Sequence, residues 1–589
     1  MWLAPLNAHD DLMDTTPASA RLCDLNPTAQ PARIGDPACF QPSDALADPA
    51  GSGPPRCAAD PVGFGPPDPA PDPAGFGPPR PDPDPAGFGA PRPAVAARPP
   101  WAGIALIAAA AFAVEMAVGA RYGYARDELY FLAAGRHLAF GYVDQPPLTP
   151  LLARISAAVT GNTLIGFRVL PALAMAALVV ATAAMSRLLG AGRTGQLLAA
   201  LAAATCAEYL GAMHELTTTT PDFVLWAITL LLVMRLLVSR DPRWWVAIGG
   251  CVGIASEAKW NIGFLAAALA AGFLATDARR LLRSRYLLIG GVIAAGLAAP
   301  DLIWQAAHGW PSADVFRALQ TAAGHNRAVY WPGQILFTGP ILTPVWVTGA
   351  IWSLRSAAAR RFRPVAIACV IAIALQFVLG GKPYYPGAAY TFLLAAGCVP
   401  LERRLAARRP LARRVSPATA VAAAMLVGAV VAAPIALPVL PARVLHTVPL
   451  QKINYDLGET IAWPRLVALV AREYDTLPGP QRQRTTILTG NYGEAGAIDR
   501  YGPALGLPAV YSGANNFWLW GPPPAADTAA IAVNVNPALL RREFSQVRLV
   551  ATFSNGLGVS DDEQGAQVFL ATGLRSSWSQ SWPAFRNYS

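Results

Sequence analysis

Residues 102–120 read AGIALIAAAAFAVEMAVGA, an apolar run in which Glu115 is the only charged side chain. An α-helix needs about 20 apolar residues to cross the roughly 30 Å hydrocarbon core of a bilayer. Similar runs recur as far as residue 440, so we predict an α-helical polytopic membrane protein with about 11 to 13 transmembrane helices. Glycine and proline interrupt some runs, where merged or re-entrant segments are the alternative. The provisional spans are 102–120, 166–187, 196–213, 222–238, 244–258, 260–276, 286–304, 334–353, 364–380, 384–400 and 417–440.

The composition of the 589-residue chain agrees with a membrane protein. Hydrophobic residues make up 54% of the sequence and charged residues 14%, and the mean hydropathy is +0.35. Soluble domains contain roughly 25% charged residues. The net charge of +10 does not indicate nucleic-acid binding, because most basic residues lie between apolar segments. The seven cysteines form no CxxC pair, so they predict neither a zinc site nor a dense disulfide framework.

Arginines are concentrated in alternate loops, which the positive-inside rule assigns to the cytoplasm. The intervening loops and the C-terminal region are therefore expected to face outward from the inner or plasma membrane. These outward loops hold most of the unusual polar residues, which predicts an active site on the extracytoplasmic side. The basic loops lie at 187–193, 235–243, 279–285, 355–363 and 403–414; the outward loops lie at 121–165, 214–221, around Lys259, 305–333 and around Lys382.

Two regions flank the transmembrane region 100–440. Residues 1–99 contain a degenerate Phe-Gly-Pro repeat with Asp-Pro spacers, which cannot bury a core, so we predict a disordered Pro/Gly-rich cytoplasmic tail. The tail lacks a signal-peptide pattern, so the first span would act as the targeting signal. Residues 441–589 have the composition of a soluble domain and predict a small outward-facing α/β domain. Its β-branched runs are Thr485–Thr489, Ala530–Val535, Val547–Phe553 and Gln567–Leu570.

Three carboxylates near the predicted outer surface are candidates for chemistry. Asp127 and Glu128 lie just beyond the first span, where a lipid-borne substrate can meet a water-soluble one. A carboxylate there can take the proton of an acceptor hydroxyl during group transfer. The alternative is an acidic pair stabilised by the dipole of an interfacial helix. Asp222, after Pro221 at the start of the fourth span, is a functional candidate at a membrane edge or an ordinary helix start.

Basic and aromatic residues supply a second set of candidates. Lys382 is one of three lysines in the chain, and its ammonium with the hydroxyls of Tyr384 and Tyr385 suits a phosphate group. A snorkelling lysine in an aromatic belt is the alternative. His308 could complete a divalent-metal site with first-loop carboxylates, although a lone histidine is also a common interfacial residue. The GxGxxG pattern at 190–195 joins two apolar helices, so it does not predict a dinucleotide site.

Taken together, the motifs resemble the protein-mannosyltransferase and aminoarabinose-transferase group within the C-type integral-membrane glycosyltransferases. The resemblance extends over about residues 101–589. Members of the group use a polyprenyl-phosphate-linked sugar as donor and transfer the sugar to an acceptor on the outer face of the membrane, typically with inversion at the anomeric carbon. The matching stretches are DELYFLAAGRH (127–137), DQPPL (144–148), RVLPA (168–172), HGWP (308–311), KPYY (382–385) and NYGEA (491–495).

The resemblance implies roles for particular residues. The group's first-loop catalytic acid falls on Asp127, with its neighbouring acid on Glu128. Asp144 would help to hold a divalent metal ion, with His308 as our candidate for its partner, and Lys382 would hold the lipid phosphate. Relatives often have Glu-Lys-Pro where this chain has Asp-Gln-Pro from position 144, so that lysine is missing here.

The residues and the resemblance predict the same kind of reaction. A sugar bonded to phosphate already carries a leaving group, so an enzyme needs cations for the phosphate and a base for the attacking hydroxyl. We therefore predict a membrane glycosyltransferase whose partners are a polyprenyl-phosphate sugar, membrane lipid, and a lipid, glycan or protein acceptor. A transporter or flippase of a lipid-linked precursor is the alternative. It is less favoured because the polar residues cluster on one side and the two halves show no repeat.

Overall fold

The computed structural model describes residues 99–408 and 416–588. The predicted N-terminal tail, apart from residue 99, lies outside the described residues. The part that contains the apolar runs is built from helices. In chain order they are α1 (Trp101–Val118), α2 (Arg126–Arg136), α3 (Leu148–Thr160), α4 (Leu164–Phe167), α5 (Val169–Leu188), α6 (Arg193–Ala204), α7 (Ala207–Ala212), α8 (Thr219–Ser239), α9 (Trp244–Ser256), α10 (Ile262–Leu274), α11 (Arg285–Ala307), α12 (Pro311–Gln320), α13 (Ala323–Thr338), α14 (Thr343–Arg355), α15 (Arg363–Leu379), α16 (Ala389–Ala406) and α17 (Pro417–Ala436).

By length and composition, six helical segments among the described residues can cross a membrane, which indicates a multi-pass membrane protein. The bent pair α13 and α14, at 103° to each other, would make a seventh if it forms one span. The predicted count of 11 to 13 is not confirmed, because several apolar runs fold as shorter helices. At 1.5 Å per residue, the 13 residues of α9 or α10 extend only about 20 Å. The six segments are Trp101–Val118, Leu164–Leu188, Thr219–Ser239, Arg285–Ala307, Ala357–Leu379 and Pro417–Ala436.

Glycines allow close approach between helices of this bundle. A Cβ atom added to Gly249 of α9 would lie 2.1 Å from the carbonyl oxygen of Gly290 in α11. A Cβ atom added to Gly349 of α14 would lie 2.0 Å from the carbonyl oxygen of Leu393 in α16. Small residues at such crossings are typical of helix interfaces in membranes, where packing drives association. A larger side chain at either glycine would therefore push the two helices apart.

The C-terminal part combines helices with a mixed sheet. Among residues 416–588 the five strands are arranged in the order β2-β1-β3-β5-β4. Strand β1 is parallel to β2 and β3, whereas β5 is antiparallel to β3 and β4. The elements are α18 (Asp456–Glu459), α19 (Trp463–Asp475), α20 (Gly479–Arg482), β1 (Thr485–Thr489), α21 (Tyr492–Tyr501), β2 (Val510–Ser512), α22 (Asn515–Leu519), β3 (Ala529–Val533), α23 (Pro537–Glu543), β4 (Phe544–Thr552), β5 (Gln567–Leu574) and α24 (Trp578–Ser581).

The sequence pattern locates four of these strands, and β1 has the predicted bounds. Every residue of β1 and β3 is buried, as expected for strands whose two faces are both covered. Strand β2 has only three residues, too few to show an alternating pattern. The pattern therefore locates four strands, with bounds that differ by up to four residues, and misses the short edge strand β2.

The C-terminal part shares a hydrophobic core with the first predicted outward loop. Leu129 and Tyr130 of α2 pack in one cluster with Trp463 of α19 and Ile487 of β1. The contact is close, because a Cβ atom added to Gly496 of α21 would lie 2.8 Å from the carbonyl carbon of Leu129. The first loop and the C-terminal part are therefore packed as one body. A separate domain beginning at residue 441 stays a prediction.

The predicted topology can be tested by cysteine labelling in intact cells, in a background where Cys23, Cys39 and Cys57 are replaced by serine. Ser576 is exposed in the C-terminal part, and Ser239 is exposed in a predicted cytoplasmic loop. We expect an impermeant thiol reagent to label Ser576→Cys in intact cells and Ser239→Cys only after lysis. The reverse pattern would contradict the predicted orientation.

The labelling needs a control for side chains that are hidden by folding. The Ser512 side chain is fully buried and donates a hydrogen bond to the carbonyl oxygen of Thr489. Ser512→Cys should therefore stay unlabelled on either side of the membrane until the protein is denatured. The native cysteines of the described residues, Cys206, Cys251, Cys369 and Cys398, are buried as well.

Candidate active site

An open cavity lies where the start of α2, the loop before α8, the helices α12 and α13, and the C-terminal part meet. It contains about 1460 Å³ of empty space, part of which is open to solvent. Its lining combines acidic, basic and phenolic side chains from distant parts of the sequence. The ionisable and tyrosine residues of the lining are Arg126, Asp127, Glu215, His325, Lys382, Tyr384, Tyr455, Asp456, Glu459 and Tyr492. The predicted base and the predicted phosphate-binding lysine therefore face one space.

Asp127 lies in the first turn of α2 and lines the cavity. Its Oδ1 atom accepts a hydrogen bond of 3.0 Å from the hydroxyl of Tyr492. Its Oδ2 atom accepts no hydrogen bond from the residues that the structure describes. One oxygen is thus held in place, and the other is free to accept a proton from a molecule in the cavity.

Glu128 is buried and does not line the cavity, so its predicted catalytic role stays a prediction. The carboxylate is fully buried, and both of its oxygens are hydrogen-bonded. The guanidinium of Arg168 donates to Oε1 at 3.2 Å and to Oε2 at 2.9 Å, and the backbone N–H groups of Leu216 and Ala125 donate at 3.2 Å and 2.9 Å. Consecutive residues of a helix point about 100° apart, so only Asp127 of the acidic pair faces the cavity.

Lys382 and Tyr384 belong to the connection between α15 and α16, and both line the cavity. Two side-chain amides hold the connection: Asn326 donates to the carbonyl oxygen of Gly380 at 2.9 Å, and Gln334 to that of Pro383 at 2.7 Å. Within residues 99–408 and 416–588, the Lys382 ammonium has no hydrogen-bonded or ion-paired partner. Burial lowers its pKa, an effect that nearby carboxylates oppose. The ammonium is therefore available to an anionic ligand.

Asp222 and Tyr385 do not line this cavity but lie behind it. Asp222 accepts a hydrogen bond of 3.1 Å from the amide of Asn261, which also donates to the carbonyl oxygen of Tyr385 at 2.9 Å. The ammonium of Lys259 lies over the rings of Tyr384 and Tyr385, at 5.3 Å and 4.6 Å from their centres. Burial lowers the pKa of Lys259, and the charge of Asp222 opposes this change. Sequence reasoning did not assign a role to Lys259, although its rarity was the same signal that identified Lys382.

Asp144 and His308 belong to no group of three metal-ligating side chains among the described residues. Asp144 accepts hydrogen bonds from the hydroxyl of Tyr130 at 2.9 Å and the amide of Asn515 at 3.3 Å, and burial raises the pKa of Asp144 to about 7. His308 is exposed, and its ring stacks on that of Trp304 with the ring centres 4.0 Å apart. Its Nδ1 atom donates a hydrogen bond to the backbone carbonyl oxygen of Trp304. No three His, Cys, Asp or Glu side chains in the described ranges could hold a metal ion together. The metal site stays a prediction.

Arg126 connects α2 to the C-terminal part and brings more acids to the cavity. Its guanidinium pairs with Glu459 at 3.3 Å and with Asp562 at 2.8 Å, and it donates to the hydroxyl of Tyr455 at 2.6 Å. These contacts hold α18 against the cavity, where Asp456 forms part of the wall. No sequence signal marks these acids, because they lie in a part of the chain that is remote from Arg126.

Asp456 and Glu215 form an acidic side of the cavity. Burial raises the pKa of both carboxyl groups, and each is raised further by a neighbouring carboxylate: Asp127 acts on Asp456, and Asp456 acts on Glu215. The Oδ2 atom of Asp456 is buried without a hydrogen-bond partner among the described residues. The cavity thus holds buried carboxyl groups with raised pKa values as well as the ammonium of Lys382.

Comparison with known proteins agrees with the fold and the motifs. Residues 144–304 match the family model described as dolichyl-phosphate-mannose-protein mannosyltransferase. The crystal structure of ArnT from Cupriavidus metallidurans in the apo state aligns with 80% of this chain and 98% of that chain, at a TM-score of 0.52 and 14% sequence identity. The predicted resemblance to this transferase group is confirmed. At this level of identity, the structural likeness establishes a common fold.

A second solved structure, the arabinofuranosyltransferase AftD from Mycobacteria, aligns with 80% of this chain and 42% of that chain. Its TM-score is 0.45 and its sequence identity 15%. No curated protein sequence matches the chain. The family model and the fold shared with ArnT support a membrane glycosyltransferase and do not favour the transporter alternative.

The two neighbouring acids of α2 should respond differently to loss of charge. Glu128→Gln leaves the buried guanidinium of Arg168 without its counter-charge, and breaking a buried ion pair destabilises a protein by roughly 3 to 5 kcal/mol. We expect a lower midpoint of thermal unfolding for Glu128→Gln, measured by tryptophan fluorescence in detergent. Asp127→Asn is the matched control and should unfold at the wild-type temperature. Equal midpoints for all three proteins would contradict the structural role of Glu128.

Proposed function

We propose that the protein is a membrane glycosyltransferase that moves a sugar from a polyprenyl-phosphate donor to a hydroxyl group of an acceptor on the outer face of the membrane. The main support is that Asp127 and Lys382, which are far apart in the sequence, line the same cavity. A base and a cation are the two groups that transfer from a sugar phosphate requires. The matched family model supports the donor class, because its description names a sugar linked to dolichyl phosphate.

Asp127 is the proposed general base. The oxygen of the acceptor hydroxyl attacks the anomeric carbon, and its proton passes to Oδ2 of Asp127. The bond between the anomeric carbon and the phosphate oxygen breaks, and polyprenyl phosphate leaves with the electron pair. The hydrogen bond from Tyr492 to Oδ1 fixes the carboxylate, so the free oxygen keeps one orientation during proton transfer.

Lys382 and Tyr384 are the proposed phosphate-binding residues. Negative charge grows on the phosphate as the leaving group departs, and a fixed ammonium with a phenolic hydroxyl stabilises that charge. Lys259 lies behind the ring of Tyr384 and adds positive charge to the same side of the cavity. Burial lowers the pKa of Lys382, and the carboxylates of Asp127 and Asp456 oppose this change.

Asp127→Asn is the direct test of the proposed base. Asparagine keeps the shape and the hydrogen bond of the side chain but cannot accept a proton, and general bases contribute about 10²- to 10⁴-fold to a rate. We expect the purified variant to lose sugar transfer from a polyprenyl-phosphate sugar by at least about a hundredfold, with an unchanged unfolding midpoint. Asp314→Asn, at an exposed acid of α12, is the matched control and should keep wild-type activity.

Wild-type turnover by Asp127→Asn would show that another group is the base. The proposed function as a whole would be wrong if the wild-type protein moved a lipid-linked sugar across a bilayer without transferring the sugar. The transporter alternative would then apply.

Lys382→Ala should weaken use of the donor. Removing an ammonium from a phosphate site affects both binding and departure of the leaving group. We expect a higher KM for the polyprenyl-phosphate sugar together with a lower kcat, and partial rescue of KM by Lys382→Arg. Lys452→Ala, at an exposed lysine, is the control. Unchanged kinetic constants for Lys382→Ala would contradict the phosphate-binding role.

A further inference from the structure

A groove between α2 and α3 shares no lining residue with the proposed active site. It contains about 650 Å³ of empty space, part of which is open to solvent, and sites that bind small molecules have a similar size. Most of its lining residues are small or apolar, and the others are two arginines and an amide. The small and apolar ones are Leu132, Gly135, Ala153, Ala157 and Ala158, and the polar ones are Arg136, Arg154 and Asn162.

The groove is positively charged. Arg136 of α2 and Arg154 of α3 line it, whereas no acidic residue of the described ranges does. Arg136 is ion-paired with Asp499. The guanidinium of Arg154 has no hydrogen-bonded or ion-paired partner in the part of the chain that the structure describes. One of the two cations in the lining is therefore available to an anionic ligand.

A third arginine adds to this charge. Arg500 of α21 donates a hydrogen bond of 3.1 Å to the backbone carbonyl oxygen of Asn162, which lines the groove. Burial lowers the pKa of Arg136, and the charges of Arg500 and Arg154 lower it further. Arg136 is thus close enough to two other cations to be repelled by both. An anion in the groove would relieve this repulsion.

The free arginine lies on an exposed apolar face of α3. Leu151, Ile155 and Val159 are 41%, 49% and 78% exposed, and their spacing of four residues places them on one side of the helix. Arg154 follows Leu151 by three residues, so it lies on this side too and is exposed. An apolar stripe that carries a cation is typical of a helix at a membrane interface. A charge among lipid-facing side chains is unfavourable unless it reaches the headgroup region or pairs with an opposite charge.

We propose that this groove binds the phosphate group of an anionic membrane lipid. The guanidinium of Arg154 can donate two parallel hydrogen bonds to phosphate oxygens, and Arg136 adds positive charge to the same space. The exposed apolar stripe of α3 provides a surface for the acyl chains. A zwitterionic headgroup is disfavoured, because its ammonium would meet two arginines and no carboxylate in the lining.

Helix α2 connects this groove to the proposed active site. Asp127 lies in the first turn of α2 and Arg136 in its last turn, which places them about 14 Å apart along the helix axis. A lipid in the groove would therefore hold the far end of the helix that carries the proposed base. The lipid site itself does not depend on the proposed transfer reaction.

Native mass spectrometry of the purified full chain tests the proposal. The protein is equilibrated in detergent with equal amounts of phosphatidylglycerol, phosphatidylcholine and phosphatidylethanolamine. We expect wild type to retain phosphatidylglycerol in preference to the other two lipids. Arg154→Gln should weaken this retention about tenfold, because it loses hydrogen bonds to a charged group, and should unfold at the wild-type temperature. Arg548→Gln, at an exposed arginine of β4, is the matched control and should retain the lipid as wild type does.

Ala158→Leu gives an independent test that leaves every arginine in place. Ala158 lines the groove and is exposed, so the variant should fold and retain less phosphatidylglycerol. Excess inorganic phosphate should not displace the lipid from wild type, because it has no acyl chains to bind the stripe of α3. Equal retention of the three lipids by wild type, unchanged retention by Arg154→Gln or Ala158→Leu, or displacement by inorganic phosphate would overturn the proposal. Because the readout is binding, its failure leaves the proposed transferase activity unaffected.

Discussion

The buried ion pair between Arg168 and Glu128 is the constraint on which the active-site geometry depends. The guanidinium donates to both oxygens of Glu128, and also to the backbone carbonyl oxygens of Gly119 and Gly123. It therefore fastens the end of α1 and the start of α2 to the bundle. Two buried charges are stable only when they are paired and hydrogen-bonded, so this arrangement allows little variation. Asp127 precedes Glu128 in the chain, so these contacts of Arg168 also fix the position of Asp127 in the cavity.

Arg126 completes the arrangement on the other side of Asp127. Its ion pairs with Glu459 and Asp562 connect the same turn of α2 to the C-terminal part. Three consecutive residues thus point in three directions: Arg126 to the C-terminal part, Asp127 into the cavity and Glu128 into the bundle. The helical rotation of about 100° per residue separates these three directions.

The sequence predicts those parts of the site that depend on chemical type and local pattern. Asp127 is recognisable because it is a carboxylate just beyond an apolar span, and Lys382 because lysine is rare in this chain. Both residues line the cavity. Glu128 looks equivalent to Asp127 in sequence, and only the partner Arg168 distinguishes it. The contributions of Glu215 and Asp456 depend on contacts between distant segments, which no local pattern records. The predicted number of spans is not confirmed, because apolar runs such as those of α9 and α10 fold as helices of 13 residues.

The residues of the cavity wall are far apart in the sequence, so the site can form only late in synthesis of the chain. Its parts include residues 125–127, 215–219, 382–384, 455–459 and 492, so the last part emerges well after Lys382. At about 5 to 20 residues per second, the ribosome needs on the order of 10 seconds for that interval. During this time most of the membrane helices are already made, but Tyr492 is not yet available to Asp127. A chain that stops before residue 492 therefore carries the predicted base and lysine without the tyrosine that holds the base.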